Sequence, residues 1–554
     1  MRLIYAMLRR KEDGIIFCIP KLGRSRRVRT VVLNAMAILA LATLAACGGS
    51  GSSATGSLSS TPAAWVQSVF APSSSFAAQC ATPRNGIDAN NGRLFPDAQG
   101  STLSENNFLR SWTNELYLWY SEVPDLDPAG YSTADYFKLL KTSAVTPSGI
   151  PKDKFHFTSP TTVWEQLSQS GLQLGYGVEW ALIATTPPRK VVVAFTQPGS
   201  PATAANIARG AQLLTVDGID VASGDPGALN AGLFPASVGE SHTFAILDPG
   251  ATTSRTVTLQ ADNITGTPVQ SVKTVNTANG TVGYMLFNDH IATAESELIA
   301  AIDQLVPAGV SDLVLDIRYN GGGFLDIASE LAYMIAGPAQ TTGRSFDRIQ
   351  FNGKYPTTNP VTLQPLTATP FYSQSQGFSV AGGRVLPTLN LSRVYVLTGA
   401  GTCSSSEAII NGLRGVGVQV IQIGSTTCGK PYGFYAQDNC GTTYFTIEFK
   451  GVNDIGFGDY SDGFSPQNAA GTGGVSIPGC SVADDFGHAL GDPLEGRFAA
   501  ALAYRITGLC PAPSGLSPKA LSMSAMRSLT ASVDLFPVDG VLTKSPLREN
   551  RWYR

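Results

Sequence analysis

From about residue 102 apolar residues recur every three or four positions. Phe108, Trp112, Leu116 and Trp119 or Tyr120 fall on one stripe, which predicts an amphipathic helix with a core face. Ser132-Thr133-Ala134-Asp135 reads as a capping box ahead of Tyr136, Phe137, Leu139 and Leu140. Val163 to Leu167 closes this small helical region. The texture changes near Leu172. Lys190 to Phe195 reads as a strand, Pro198-Gly199-Ser200-Pro201 as a turn, Ala202 to Ala208 as a short helix, and Gly210 to Gly218 as a strand ending in a tight turn. From about Thr281 strands and helices alternate. The strands are Val282 to Phe287, Leu313 to Ile317, Arg393 to Leu397 and Val418 to Ile423; the helices are Glu295 to Leu305, Asp326 to Ala336 and about Ser406 to Leu413. Continuous apolar strands separated by helices predict a largely parallel sheet covered on both faces.

Length and composition add limits. With 554 residues, 43% of them apolar, the chain has room for two or three domains and is not disordered throughout. Only 14% are charged, against about 25% in a typical soluble protein. The first 29 residues hold nine Lys/Arg and two acids, so the remainder has 29 basic and 39 acidic residues, a net charge of −10. A chain that acidic has no general attraction for nucleic acid, and nucleic-acid binding is not expected.

The basic residues lie ahead of an export signal. Arg24, Arg26, Arg27 and Arg29 precede an apolar run from Val31 to Ala46, short of the roughly 20 residues of a membrane span. The run ends in Leu44-Ala45-Ala46-Cys47, which resembles the lipobox of bacterial lipoproteins; there Cys47 would become the acylated first residue. The alternative is an ordinary signal peptide with an incidental Cys. A Gly/Ser-rich tether follows, running to about Pro62. Beyond Cys47 six cysteines remain, an even number that permits disulfides in an oxidising compartment, with Cys403–Cys428 a candidate pair. No CxxC pair or Cys/His cluster at zinc spacing occurs, so neither a metal nor a cofactor is expected.

Three segments follow strands of the alternating region, where α/β proteins place their sites. Asp316-Ile317-Arg318-Tyr319-Asn320-Gly321-Gly322-Gly323 can turn backbone N–H groups outward, as an oxyanion hole or a phosphate cradle needs. It lacks the Lys-Ser/Thr ending of a P-loop and the spacing of a dinucleotide site. Gly401-Thr402-Cys403-Ser404-Ser405-Ser406-Glu407 lies between a strand and a helix, where a nucleophile stands near the helix's positive end. Gly424-Ser425-Thr426-Thr427-Cys428-Gly429-Lys430-Pro431 carries a single Lys. The chain has four His, none beside these loops. Lys430 can serve as the base if burial lowers its pKa to about 7–8, and Tyr432 and Phe434 can desolvate it. The alternative makes Ser404 a helix N-cap completed by Glu407 and Lys430 a surface charge. Cys403 is read as a packed or disulfide-bonded thiol, Asp316 and Arg318 as holding a strand end, and Asp484-Asp485 near His488 as capping and loop residues, not a metal site.

The small residues, helix, Gly, strand and tight turn over 172–262 resemble a PDZ domain, which adds an extended peptide to a sheet edge. Gly175, Tyr176 and Gly177 then stand in the carboxylate-binding loop, although these glycines can equally be turn punctuation. The three catalytic-type strings together, in this order, resemble the C-terminal processing (tail-specific) serine peptidase family, with the tricorn core a more distant relative. The resemblance covers roughly residues 105–510. It implies Ser404 as nucleophile, Lys430 as general base, and the backbone N–H groups of Gly322 and Ser405 as oxyanion donors. Two family positions depart. A Gln often stands four residues after the Lys, where this chain has Phe434; an Asp eleven after the Ser is replaced by Gly415. Gln437 and Asn439 are possible substitutes.

The resemblance implies an α/β catalytic core of the ClpP/crotonase-like kind, a PDZ-like β-rich domain and a small N-terminal helical region. The expected layout is a signal peptide over 1–46, a lipid-anchored flexible linker over 47–100, the helical region over 101–171, the PDZ-like domain over 172–262, the catalytic core over 263–510 and a C-terminal tail over 511–554. The expected function is that of an endopeptidase acting on unfolded or C-terminally recognised polypeptides, held by a lipid anchor in the bacterial cell envelope, facing the periplasm from the outer membrane. The rival readings are a non-catalytic peptide-binding lipoprotein and an α/β-hydrolase esterase; no GxSxG elbow precedes the helix, which argues against the latter.

Overall fold

The computed structural model describes residues 65–88, 92–469, 471 and 473–511. The expected signal peptide, Cys47, the tether and all but the first residue of the tail lie outside them. Among the described residues no helix is long and apolar enough to cross a membrane.

The helix Thr102–Leu116 begins at Ser101, whose hydroxyl accepts the Ser104 N–H, and Thr133–Leu139 begins at Ser132, which accepts from Asp135 N–H. Both satisfy otherwise unpaired first-turn donors. The stripe residues Phe108 and Trp112 pack on Tyr136 and Phe137. The flexible linker expected over 47–100 is corrected from residue 65 onward. Strands Gln79–Cys80 and Ala98–Gln99 pair in parallel. Arg84 grips Asp97 with two hydrogen bonds of 2.8 and 2.7 Å. Arg110 reaches the carbonyls of Val66 and Val69, and Cys80 is bonded to Cys440, 360 residues away. The Gly/Ser composition stops where these anchors begin.

Residues 178–260 form an antiparallel sheet in the order Arg255–Gln260, Ser241–Leu247, Gln212–Val216, Lys190–Thr196, Val178–Ala184. It has a core of its own, in which Trp180, Val191, Val193, Leu213, Phe244 and Ile246 meet Leu229 and Leu233 of helix Pro226–Leu233. Val178–Ala184 is one of its two edge strands.

The second core is built on a six-stranded sheet in the order Val269–Thr277, Gly280–Phe287, Asp312–Asp316, Arg393–Thr398, Gln419–Gly424, Gly479–Ser481, parallel except for the first pair. Alternate residues point to opposite faces. Leu313, Leu315, Val394, Val396 and Val420 pack under helices Ala294–Leu305, Leu325–Ala336 and Ser405–Gly415. Val314, Tyr395, Leu397, Ile421 and Ile423 meet helix Gly496–Thr507 on the other side. The sheet is therefore covered on both faces, as the continuous apolar strands predict. A further antiparallel layer, absent from the sequence reading, joins Thr369–Pro370, Ser345–Phe351, Phe449–Val452 and Tyr432–Gly433. It forms one wall beside the ends of the central strands.

Candidate active site

The strands Asp312–Asp316, Arg393–Thr398 and Gln419–Gly424 are adjacent, so the three loops that follow them converge. Ser404 ends the second loop as the residue before helix Ser405–Gly415, with φ 55° and ψ −116°. A side chain held in this left-handed region costs about 1–3 kcal/mol. The neighbours hold it there. Cys403 N–H donates to Asn320 O at 3.2 Å, Ser406 Oγ to the same oxygen at 3.1 Å, and Ser405 Oγ to Gly323 O. Ser404 and Glu407 also form the capping box read from the sequence, and Ser404 N–H donates to the Glu407 carboxylate at 3.1 Å.

Lys430, the base expected in the third loop, is 1% exposed. Its Nζ makes no hydrogen bond; it faces the rings of Phe434 at 4.2 Å and Phe155 at 5.0 Å. Burial pushes its pKa down from 10.5 to about 7, against the opposing pull of Asp153 and Glu407. The amine is therefore substantially neutral near pH 7 and able to accept a proton. The reading of Lys430 as a surface charge is corrected. Phe434 stands four residues after Lys430, where the family resemblance leads one to expect Gln, and its ring lies over the amine. Neither Gln437 nor Asn439 lines the cleft; Asn439 Oδ1 accepts the Ala78 N–H instead.

Ser404, Ser405 and Lys430 line one cleft, with about 360 Å³ of empty space including its solvent-open mouth. Two ties hold its two loops together. One is the disulfide Cys403–Cys428. The other is Glu407, fully buried, whose carboxylate accepts the hydroxyl of Thr427 and the N–H groups of Gly429 (2.9 Å), Lys430 (2.8 Å) and Ser404 (3.1 Å). Burial pushes its pKa up, and these donors oppose the rise. Cys403, Cys428 and Glu407 cluster closely, but the two sulfurs are bonded to each other and offer no thiolate pair to a metal.

The glycine loop lies against the serine. A Cβ on Gly322 (φ 98°) would stand 2.9 Å from Ser404 Cβ and 3.0 Å from Ser405 N, so only glycine fits. One expected donor is corrected, however: the Gly322 N–H is taken by Asn320 Oδ1 at 2.9 Å. That same oxygen meets His290 Nδ1 at 3.0 Å, and Asn320 Nδ2 donates to Phe287 O. Sequence reasoning missed Asn320 and His290 as the residues that shape this loop. The Asn ahead of three glycines was the available signal for the first; His290 carried none, because it sits 32 positions from Gly322.

Of the proposed peptide-binding loop, Tyr176 is a core residue. It is 2% exposed, packs on Phe244, and donates to Gly232 O at 3.0 Å. Its side chain is not offered to a ligand, and only the backbone of Gly175, Tyr176 and Gly177 remains for that role. Behind the glycine loop Arg209, in the loop before strand Gln212–Val216, donates to Tyr319 Oη and Asp484, while Arg318 is held by Asp316, Asp484 and Glu495. Asp484 is thus a partner of arginines, and Asp485 accepts from His488, Gly487 and Gly496.

Residues 281–433, which contain all three loops, match the model of Peptidase family S41. The chain carries a domain of that serine-type peptidase family, the one its catalytic strings resemble. The chain is 34% identical over 175 residues to the carboxyl-terminal-processing protease of Picosynechococcus sp. (strain ATCC 27264 / PCC 7002 / PR-6). That match takes in 30% of this chain and 39% of the relative, so the chain spans well under half the length of that curated protein. A crystal structure from Bacteroides fragilis NCTC 9343, assigned to the S41 proteases, superposes with a TM-score of 0.54 at 20% identity, covering 73% of this chain and 98% of that one. It shows a shared fold. The photosystem II D1 C-terminal processing protease gives a TM-score of 0.38 at 19% identity over 67% of this chain and 92% of its own.

Proposed function

We propose that this chain is an exported serine endopeptidase that cleaves unfolded or C-terminally recognised polypeptides through Ser404 and Lys430. The observation that carries the reading is a strained serine and a buried amine without a hydrogen bond on one cleft. Ser404 Oγ attacks the scissile carbonyl and Lys430 Nζ takes its proton. The Ser405 N–H, at the positive end of an eleven-residue helix, supports the oxyanion. Phe434 and Phe155 stabilise the ammonium while it holds the proton, which then passes to the leaving amine. Water hydrolyses the acyl-enzyme by the same route reversed. The 172–262 region, read as PDZ-like, presents a substrate C-terminus along its edge strand, and Cys47 carries the lipid that holds the enzyme in the cell envelope, facing the periplasm from the outer membrane.

Digestion of a reduced, alkylated protein by wild type and Ser404→Ala tests the reading. Hydrolysis is expected from wild type only. Equal rates from the two, or none from wild type, would refute it. Intact-mass analysis of the membrane-associated form tests the anchor: a mature N-terminus at an acylated Cys47 is expected, and an unmodified N-terminus elsewhere rejects it.

A further inference from the structure

The cleft that holds Ser404 and Lys430 has a second ionisable wall. Asp347, in strand Ser345–Phe351, lines the cleft and is 6% exposed. Its Oδ2 is buried and makes no hydrogen bond, and among the described residues Asp347 enters no ion pair. The adjacent Arg348 offers the carboxyl its backbone N–H and a longer-range pull but no ion pair, because its guanidinium turns to the carbonyls of Asn453 and Asp454. The carboxylate lies against Gly451, where any Cβ would collide with Oδ1. A carboxyl group buried with an empty oxygen is energetically unfavourable. Nothing in the packing requires an acid here: the other walls nearby, Leu325, Ala408, Phe449 and Tyr460, are apolar or aromatic.

Resting on the proposed peptidase reading, we infer that Asp347 is the specificity residue of the cleft and selects substrates with a lysine or arginine beside the scissile carbonyl. The placement supports this. Ser404 and Asp347 line the same cleft, and on this inference the side chain that fills it belongs to the residue whose carbonyl is attacked. Tyr432–Gly433 pairs with Phe449–Val452, which pairs with Ser345–Phe351. Two strand spacings of about 4.8 Å put Asp347 roughly 10 Å from strand Tyr432–Gly433, which begins two residues after Lys430. A short side chain does not cross that gap, whereas a Lys or Arg stem runs along the apolar walls and brings its cation to the acid. Acid and base also act separately: Asp347 feels Arg348, while Lys430 feels Asp153 and Glu407. Burial pushes the Asp347 carboxyl up to about 7, and an arriving cation would draw it back to the ionised form, forming a charge-assisted pair out of water.

The test is a cleavage-site map of a reduced, alkylated protein by mass spectrometry, using the full chain as wild type, Asp347→Asn, Asp347→Glu and Ser404→Ala. Wild-type cuts should follow Lys and Arg about tenfold more often than their abundance dictates, a factor well within what a buried charge pair supplies. Asp347→Asn should abolish that enrichment and Asp347→Glu should retain part of it. Wild-type cuts without enrichment after Lys and Arg overturn the inference whether or not the variants fold. Enrichment that survives in folded Asp347→Asn overturns it as well, and both results leave the peptidase reading standing. No Ser404-dependent cleavage at all overturns the peptidase reading, and this inference with it.

Discussion

Replacing Lys430 by Met should make the protein more stable and inactive at once. Met keeps the apolar stem and removes an amine that is 1% exposed, hydrogen-bonded to nothing and shifted from 10.5 to about 7. In the unfolded chain this lysine binds a proton up to about pH 10.4; in the fold it holds one only below about 7. The unfolded state therefore binds more protons between these values, and stability rises with pH across the window. The penalty is complete below pH 7, where the charged amine is buried, and is gone above about 10.5. Each unit is about 1.36 kcal/mol, so at pH 7 the penalty is on the order of 4 kcal/mol. For a catalytic core of this size, roughly 2–4 °C follow from each kcal/mol. The assay is thermal melting of wild type and Lys430→Met from pH 6 to pH 10.5. The variant should melt on the order of 10 °C higher at pH 7, with the gap closing toward pH 10.5. A variant that melts lower than wild type at pH 7, or a gap independent of pH, would refute the burial argument.

Ser404→Gly relieves the left-handed strain that Ser404→Ala retains, so the glycine variant should be more stable by about 1 kcal/mol in denaturant titration, with both inactive. Glu407→Gln removes the charge from a carboxylate that accepts from both loops, and should cost about 2–4 kcal/mol and most of the turnover, read by melting and by hydrolysis. The double variant Cys403→Ala/Cys428→Ala opens a loop of 25-residue separation and should cost about 3 kcal/mol, with non-reducing peptide mapping of wild type recovering the bridge.

The alternation of apolar strands and helices from Thr281 onward was legible because the central strands are buried on both faces and read as continuous apolar runs, with longer helical segments between them. The meeting of the three strings was legible because they follow strand ends, and adjacent strand ends in a parallel sheet converge, while the choice of Ser404, Lys430 and Gly322 within them came from the family resemblance. What escaped depends on pairing across long separations. The wall pairs Ser345–Phe351 with Phe449–Val452, far away in the chain, and Phe449–Val452 with the nearby Tyr432–Gly433, through backbone hydrogen bonds that leave no periodic trace. Order after residue 65 rests on Cys80–Cys440 and on Arg110, neither visible in local composition. Glu407 looked like a capping residue and is one, but its grip on the lysine loop requires knowing that the two loops touch. Asp347 gave no signal, since a lone acid in a strand reads as solvent-facing until the strand is buried.

The central claim is that Lys430 is the base for Ser404, and the pH dependence of kcat/KM for wild type beside Lys430→Arg tests it most directly. A base shifted to about 7 must lose its proton before it can act, so the wild-type rate should rise with pH through a midpoint near 7, well below that of a free lysine. Lys430→Arg, with a pKa above about 12, should be inactive at every pH of the series while circular dichroism shows it folded. A folded Lys430→Arg enzyme that keeps most of the wild-type rate would contradict the account.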